Sequence, residues 1–128
     1  MPCWLVKADP DDYGFAALER DGETAWSGVS NALARRHLGA MRRGDRVFVY
    51  ETGKVRAVVG TARVAAAAAT SPPAPRLAAG RRLSRPVPLA EIRAEAAFDE
   101  LALVRQSRLS VMPVPAPLAR RLERMARA

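Results

Sequence analysis

Trp26 is followed by Ser27, Gly28, Val29, Ser30 and Asn31, and only then by the Arg-rich run Ala32-Leu33-Ala34-Arg35-Arg36-His37. Small, turn-forming residues between a tryptophan and a helix can hold a flat aromatic face at a loop edge. Such a face binds nucleobases by stacking, worth about 1–3 kcal/mol per base. Asn31 carries a donor and an acceptor side by side, the pattern that reads a base edge. Ser30 stands beside it, and the start of the following helix offers N–H groups to a phosphate. Arg35 and Arg36 lie one turn on. The same stretch equally fits a core tryptophan beside a helix-capping asparagine.

Other chemistry is sparse. His37 is the only histidine and Cys3 the only cysteine, so no metal-ligand spacing and no intrachain disulfide exist. A Ser-His-Asp or Cys-His arrangement would have to be built from His37 alone, within an Arg-rich helix. Glu51-Thr52-Gly53-Lys54 resembles the end of a phosphate-binding loop but lacks its upstream glycine and strand-to-helix context. It reads as a hairpin turn. No catalytic residue, metal or cofactor is expected.

Charge supports a polyanionic partner. Basic residues number 21 against 13 acids, a formal net charge of +8. The excess sits mostly after residue 64, where eleven basic side chains face five acids. Such potential suits nucleic acid above all. All basic residues except Lys7 and Lys54 are arginines and alanine is abundant, which also fits the codon usage of a GC-rich genome. At 128 residues the chain has the size of one domain, 1–128. No apolar run approaches the ~18 residues of a membrane span, and the N-terminus is not a signal peptide. With one cysteine, these features favour the cytoplasm of a bacterium or organelle.

The elements that must position these residues follow from periodicity. Residues 3–8 alternate as a strand. Asp12 is expected to cap a short helix through Phe15 and Leu18, ending near Gly22. Ser30 or Asn31 caps a second helix with Ala34, Leu38 and Met41 on one face, stopped by Gly44. Residues 45–66 are two β-branched runs joined at Thr52-Gly53-Lys54, with Gly60 marking a bulge or a close backbone approach. Residues 76–83 make a poor, Ala-Gly-rich strand, residues 88–98 a helix entered through Pro88, and residues 108–114 a strand. Leu118, Leu122 and Met125 share one face of a last helix. Short strands with helices around them predict an α+β fold with a small, curved, mostly antiparallel sheet.

The segments WLVKADPDDYGFAAL, WSGVSNALARRHLGAMRRGDRVFVY, AVVGTARV and LALVRQSRLSVMPV together resemble an EVE domain, of the PUA-like superfamily. The resemblance runs from about residue 2 to 115 in order and spacing. It implies a small β-barrel flanked by helices, related in fold to YTH and ASCH domains. It also implies a pocket for a modified base, methylated cytosine above all, flipped from its strand. Trp26, Asn31, Arg35 and Tyr50 match the family's motif positions, Lys7 matches its lysine, and Arg105, Gln106, Arg108 and Ser110 match its last signature. Ala8, Ser27, Arg36 and Glu51 depart from the pattern, which removes a hydroxyl and an imidazole and adds a carboxylate.

The function implied is a non-enzymatic reader of modified bases in DNA. Trp26, Asn31, Tyr50, Lys7 and Ser30 would line the base pocket. Arg35, Arg36, Arg105, Gln106, Arg108 and Ser110 would hold the strand's phosphates. An RNA-binding module is one alternative, since basicity and stacking serve RNA equally. The other is an ASCH-like amidohydrolase acting on modified nucleosides, in which Lys7 and Glu51 meet and a desolvated lysine acts as base. The plain counterpart of that pairing is an ordinary ion pair.

Overall fold

The β-branched runs on either side of Thr52-Gly53-Lys54 form the expected hairpin, β3 (Arg46–Glu51) and β4 (Ala57–Ala66), at the centre of a six-stranded sheet. The computed structural model describes residues 2–127. Before the hairpin come β1 (Cys3–Ala8), α1 (Pro10–Tyr13), α2 (Phe15–Asp21), β2 (Glu23–Ala25) and α3 (Ala32–Ala40). After it come β5 (Arg76–Pro88), α4 (Leu89–Arg93), a 3-10 turn (Ala96–Phe98), α5 (Ala102–Arg105), β6 (Val111–Pro113) and α6 (Ala116–Arg127).

The strand order is β2-β5-β4-β3-β1-β6. β1 pairs parallel with β3 and all other pairs are antiparallel. The sheet curls into a half-barrel flanked by helices, the mostly antiparallel α+β architecture expected from the pattern. It remains open, with β2 and β6 as its edges.

Side-chain alternation fixes what each face of the sheet carries. In β1 and β3, Lys7 is opposite Tyr50 and Ala8 is opposite Glu51. Phe15, Leu18, Phe48, Phe98 and Leu122 are among the fully enclosed apolar side chains. Gly60 meets both expectations placed on it: the β4 register shifts there, and a Cβ would stand 2.4 Å from the Phe15 ring.

Several boundaries differ from the sequence reading. Asp9, not Asp12, caps the first helix by accepting the Asp11 N–H, and Gly14 splits the expected single helix in two. The weak strand beginning at Arg76 runs for 13 residues, because pairing with both β4 and β2 overrides its poor propensity. Pro88 stands at the N-cap of α4, and residues 88–98 break into α4 and the 3-10 turn. The last strand contracts to Val111–Pro113. β2 and α5 carry too few residues to show periodicity.

Candidate functional site

Residues 24 to 31 leave the end of β2 and enter α3, and three hydrogen bonds fix their course. The Trp26 N–H donates to the Pro75 carbonyl (2.8 Å), and Arg35 Nε donates to the Val29 carbonyl (2.6 Å). The Ala34 N–H donates to Asn31 Oδ1 (2.9 Å), so Asn31 is the N-cap of α3. Gly28 takes a positive φ of 78°, which few side-chain-bearing residues adopt.

Trp26 is 8% exposed, so most of its surface belongs to the core. Its remaining face borders a cavity of about 580 Å³ that also touches Tyr13, Asp12, Asn31, Lys7 and Arg108. That volume lies within the range of small-molecule sites, about 300–1,000 Å³. The Tyr13 and Trp26 rings meet edge to face, with centroids 6.3 Å apart and planes at 81°. Both readings of the opening stretch therefore apply together: the indole is a core residue, the asparagine is a cap, and both line a hollow.

The other sequence-derived site residues distribute unevenly. Lys7, Ser30, Arg108 and Ser110 line the same cavity. Arg105, Gln106 and Arg108 line a shallow depression that shares Asn31 with it, and Arg105 pairs with Glu100. Arg36 is exposed on α3, outside the cavity lining. Arg35 spends its Nε on the Val29 carbonyl, so its first role is to brace the loop rather than hold a phosphate. Tyr50 does not reach the Trp26 cavity. It is 4% exposed and borders a separate hollow with Lys7, Arg56 and Arg93.

The Lys7 and Glu51 pairing does not form. Glu51 is in register with Ala8, so alternation sends its side chain to the face opposite Lys7. There its buried carboxylate accepts the Phe15 N–H at 2.8 Å, while Lys7 Nζ donates to the Ser107 carbonyl at 2.6 Å. Burial holds the Lys7 ammonium below the ordinary lysine range. It also pushes the Cys3 thiol up to about 11, which leaves it protonated and unreactive near neutrality.

Tyr13 and Asp12 are among the lining residues that sequence reasoning does not assign to the site, as are Asp9 and Thr24. In sequence, Asp12 has the position of a helix cap and Tyr13 no distinguishing pattern. Tyr13 Oη donates to Asp21 Oδ2 (2.8 Å), which locks the ring in place. The available signal is the Pro-Asp-Asp-Tyr turn directly after β1, where a strand end delivers side chains to the sheet's rim.

The model of the EVE domain family matches residues 2–125. The chain belongs to the EVE domain family. The EVE domain is PUA-like, and the curled half-barrel with flanking helices is its fold. A Rhodopseudomonas palustris protein solved by NMR is 34% identical, with a TM-score of 0.91, covering 98% of this chain and 93% of that one. A crystal structure of an Agrobacterium tumefaciens protein is 29% identical, with a TM-score of 0.92 and the same two coverages, 98% and 93%. Human THYN1, crystallised in complex with 5-methylcytosine-containing DNA, is 20% identical with a TM-score of 0.91, covering 100% of this chain and 99% of that one. No curated protein matches the sequence. Among the described residues of this EVE domain, no helix is long and apolar enough to cross a membrane.

Proposed function

We propose that this EVE domain binds nucleic acid and reads one base, of the cytosine type and preferably methylated, extruded into the Trp26 cavity. The observation that carries this reading is the perpendicular corner made by Trp26 and Tyr13 at a hollow rimmed by Asp12 and Asn31. A flat guest stacked on one ring presents its edge to the other. The human THYN1 complex with 5-methylcytosine-containing DNA, on the same fold, supports the choice of guest.

The polar groups suit cytosine. Because Asn31 Oδ1 accepts the Ala34 N–H, its NH₂ is the end left for a guest, and it donates to a ring acceptor such as O2 or N3. The Asp12 carboxylate accepts from the exocyclic N4 amine, a donor that thymine and uracil lack there. Extrusion costs a few kcal/mol, least from single strands or weakened pairs, and stacking of about 1–3 kcal/mol offsets it. A methyl group adds one apolar contact, so methyl selectivity is modest, about 1–3 kcal/mol. Arg108 on the cavity wall and Arg105 beside it follow the strand's phosphates, which makes affinity fall with salt.

Titration of fluorescent single-stranded oligonucleotides with cytosine, 5-methylcytosine or thymine at one position tests this, in both DNA and RNA. The expected order is methylcytosine, cytosine, then thymine, with Trp26→Ala binding all three weakly and equally. Parental affinity in Trp26→Ala would remove the indole from the site. Tighter binding of RNA at equal salt would make RNA the polymer read.

A further inference from the structure

The hollow around Tyr50 is separate from the Trp26 cavity, and it concentrates charge. It encloses about 220 Å³ and brings Lys7, Arg56 and Arg93 together with the Thr52 and Ser107 side. None of its lining residues is a carboxylate. Acids near these residues in sequence are occupied elsewhere: Asp9 caps α1 by accepting the Asp11 N–H, and Glu95 pairs with Arg121. Glu51 points to the other face of the sheet onto the Phe15 N–H, Glu91 pairs with Arg85, and Glu100 pairs with Arg105. Among the described residues, none of Lys7, Arg56 and Arg93 is in an ion pair, so three like charges are gathered in an arrangement that favours an external anion.

The backbone there is held in an uncommon form. Among the described residues, Arg56 is the one non-glycine at positive φ, 48°. Its carbonyl accepts the Leu89 N–H (2.9 Å), and the Thr52 N–H donates to the Ala8 carbonyl (2.9 Å), so both ends of the 52–56 turn are fastened. A non-glycine residue in that region of φ is rare and is a reason to look for function. Burial pushes the Tyr50 hydroxyl above its ordinary range and keeps it a donor, while Arg56, hydrogen-bonded beside it, and Arg93 oppose that shift in part. Lys7 lines this hollow and the Trp26 cavity alike, which makes the two sites neighbours.

We infer that Arg56, Arg93 and Lys7, with the Tyr50 hydroxyl, form a phosphate-binding subsite for the strand whose base occupies the Trp26 cavity. The placement of that strand rests on the base-reading function, whereas the anion site stands on its own residues. A tetrahedral phosphate accepts from two guanidinium forks, an ammonium and a hydroxyl at once. A base entering the Trp26 cavity would thus carry a neighbouring phosphodiester towards the 52–56 turn.

The test uses the full chain and two probes. Inorganic phosphate, followed by ¹H–¹⁵N NMR, is expected to move the Thr52, Gly53 and Ser107 amides in the parent and in Trp26→Ala. It should not move them in the double variant Arg56→Gly with Arg93→Ala, where glycine keeps the positive φ without strain. With a methylcytosine oligonucleotide, the double variant is expected to bind about tenfold more weakly at low salt. Its log–log salt slope should be shallower by about 0.7 for each phosphate it no longer neutralises, with the preference for methylcytosine unchanged. Arg120→Ala with Arg124→Ala, on α6 and outside both hollows, removes the same formal charge and serves as control. Amides that do not respond to phosphate would overturn the subsite. A phosphate response combined with a double-variant slope equal to the control's would overturn its assignment to the strand. Parental oligonucleotide affinity in Trp26→Ala, with the phosphate response intact, would overturn the base cavity and leave the anion site standing.

Discussion

Trp26 and Tyr13 meet at 81° with centroids 6.3 Å apart, and both rings border one cavity. The two arrive from separate elements, Tyr13 from the last residue of α1 and Trp26 from the loop after β2. The Tyr13 ring is secured by its Oη donating to Asp21, and the Trp26 backbone by its amide N–H donating to the Pro75 carbonyl, with the indole itself buried in the core. The corner is therefore pre-formed, and a planar guest meets little cost of ordering when it enters.

In the proposed base-reading function, Asp12 is the group that separates amino from keto pyrimidines. Asp12→Ala is expected to reduce the preference for cytosine over thymine by about tenfold while leaving general affinity for the oligonucleotide nearly intact. Competition titrations with single-substituted oligonucleotides measure this ratio. An unchanged ratio would mean that the carboxylate does not touch the guest.

Arg35 acts through the loop. Losing its hydrogen bond to the Val29 carbonyl frees the segment after Trp26, a cost of about 1 kcal/mol. Arg35→Ala is expected to weaken binding about fivefold with no change in salt slope. A slope shallower by about 0.7 would instead identify Arg35 as a phosphate ligand.

Gly60 is required by the Phe15 ring, which lies 2.4 Å from where a Cβ would stand and carries the Arg82 guanidinium above it. Overpacking of this kind costs about 1–3 kcal/mol. Gly60→Ala is expected to lower the melting temperature by about 5–10 °C, read by circular dichroism. A parental melting temperature would show that the ring moves aside freely.

His37 makes stability depend on pH. Burial first, and then the neighbouring Arg36 charge, hold its imidazole below the ordinary value. The unfolded chain takes up this proton near pH 6.5, the folded chain only at lower pH. The His37 contribution is thus complete above about pH 6.5 and declines as pH falls towards the native value, by at most about 1.4 kcal/mol per pH unit. Glu95 and Asp21, held low by Arg121 and Arg20, lose their contributions only as pH falls through their own native values. Urea midpoints compared across about pH 7.5 to 5.5 should fall for the parent and stay flatter for His37→Gln.

The hairpin, β1, α3 and α6 are legible in the sequence because their alternation or helical spacing runs long enough to count. The length of β5 is not, since pairing on both sides rather than propensity keeps Ala78, Ala79 and Gly80 extended. At the site, Trp26 and Asn31 stand out because a tryptophan before a capped helix is conspicuous in one dimension. Tyr13 does not, because its approach to Trp26 depends on how Gly14 separates α1 from α2. Tyr50 and Lys7 match family positions, but no sequence pattern shows that they border a second hollow. That follows from their register across β1 and β3.

Base capture itself is tested most directly by comparing a single-stranded oligonucleotide bearing one 5-methylcytosine with the same strand carrying an abasic site at that position. The backbone and charge are identical, so the difference reports only the base. Tenfold or greater loss of affinity in the parent, about 1.4 kcal/mol or more, is expected, shrinking towards none in Trp26→Ala. Equal affinity of the parent for the two strands would contradict a base held between Trp26 and Tyr13.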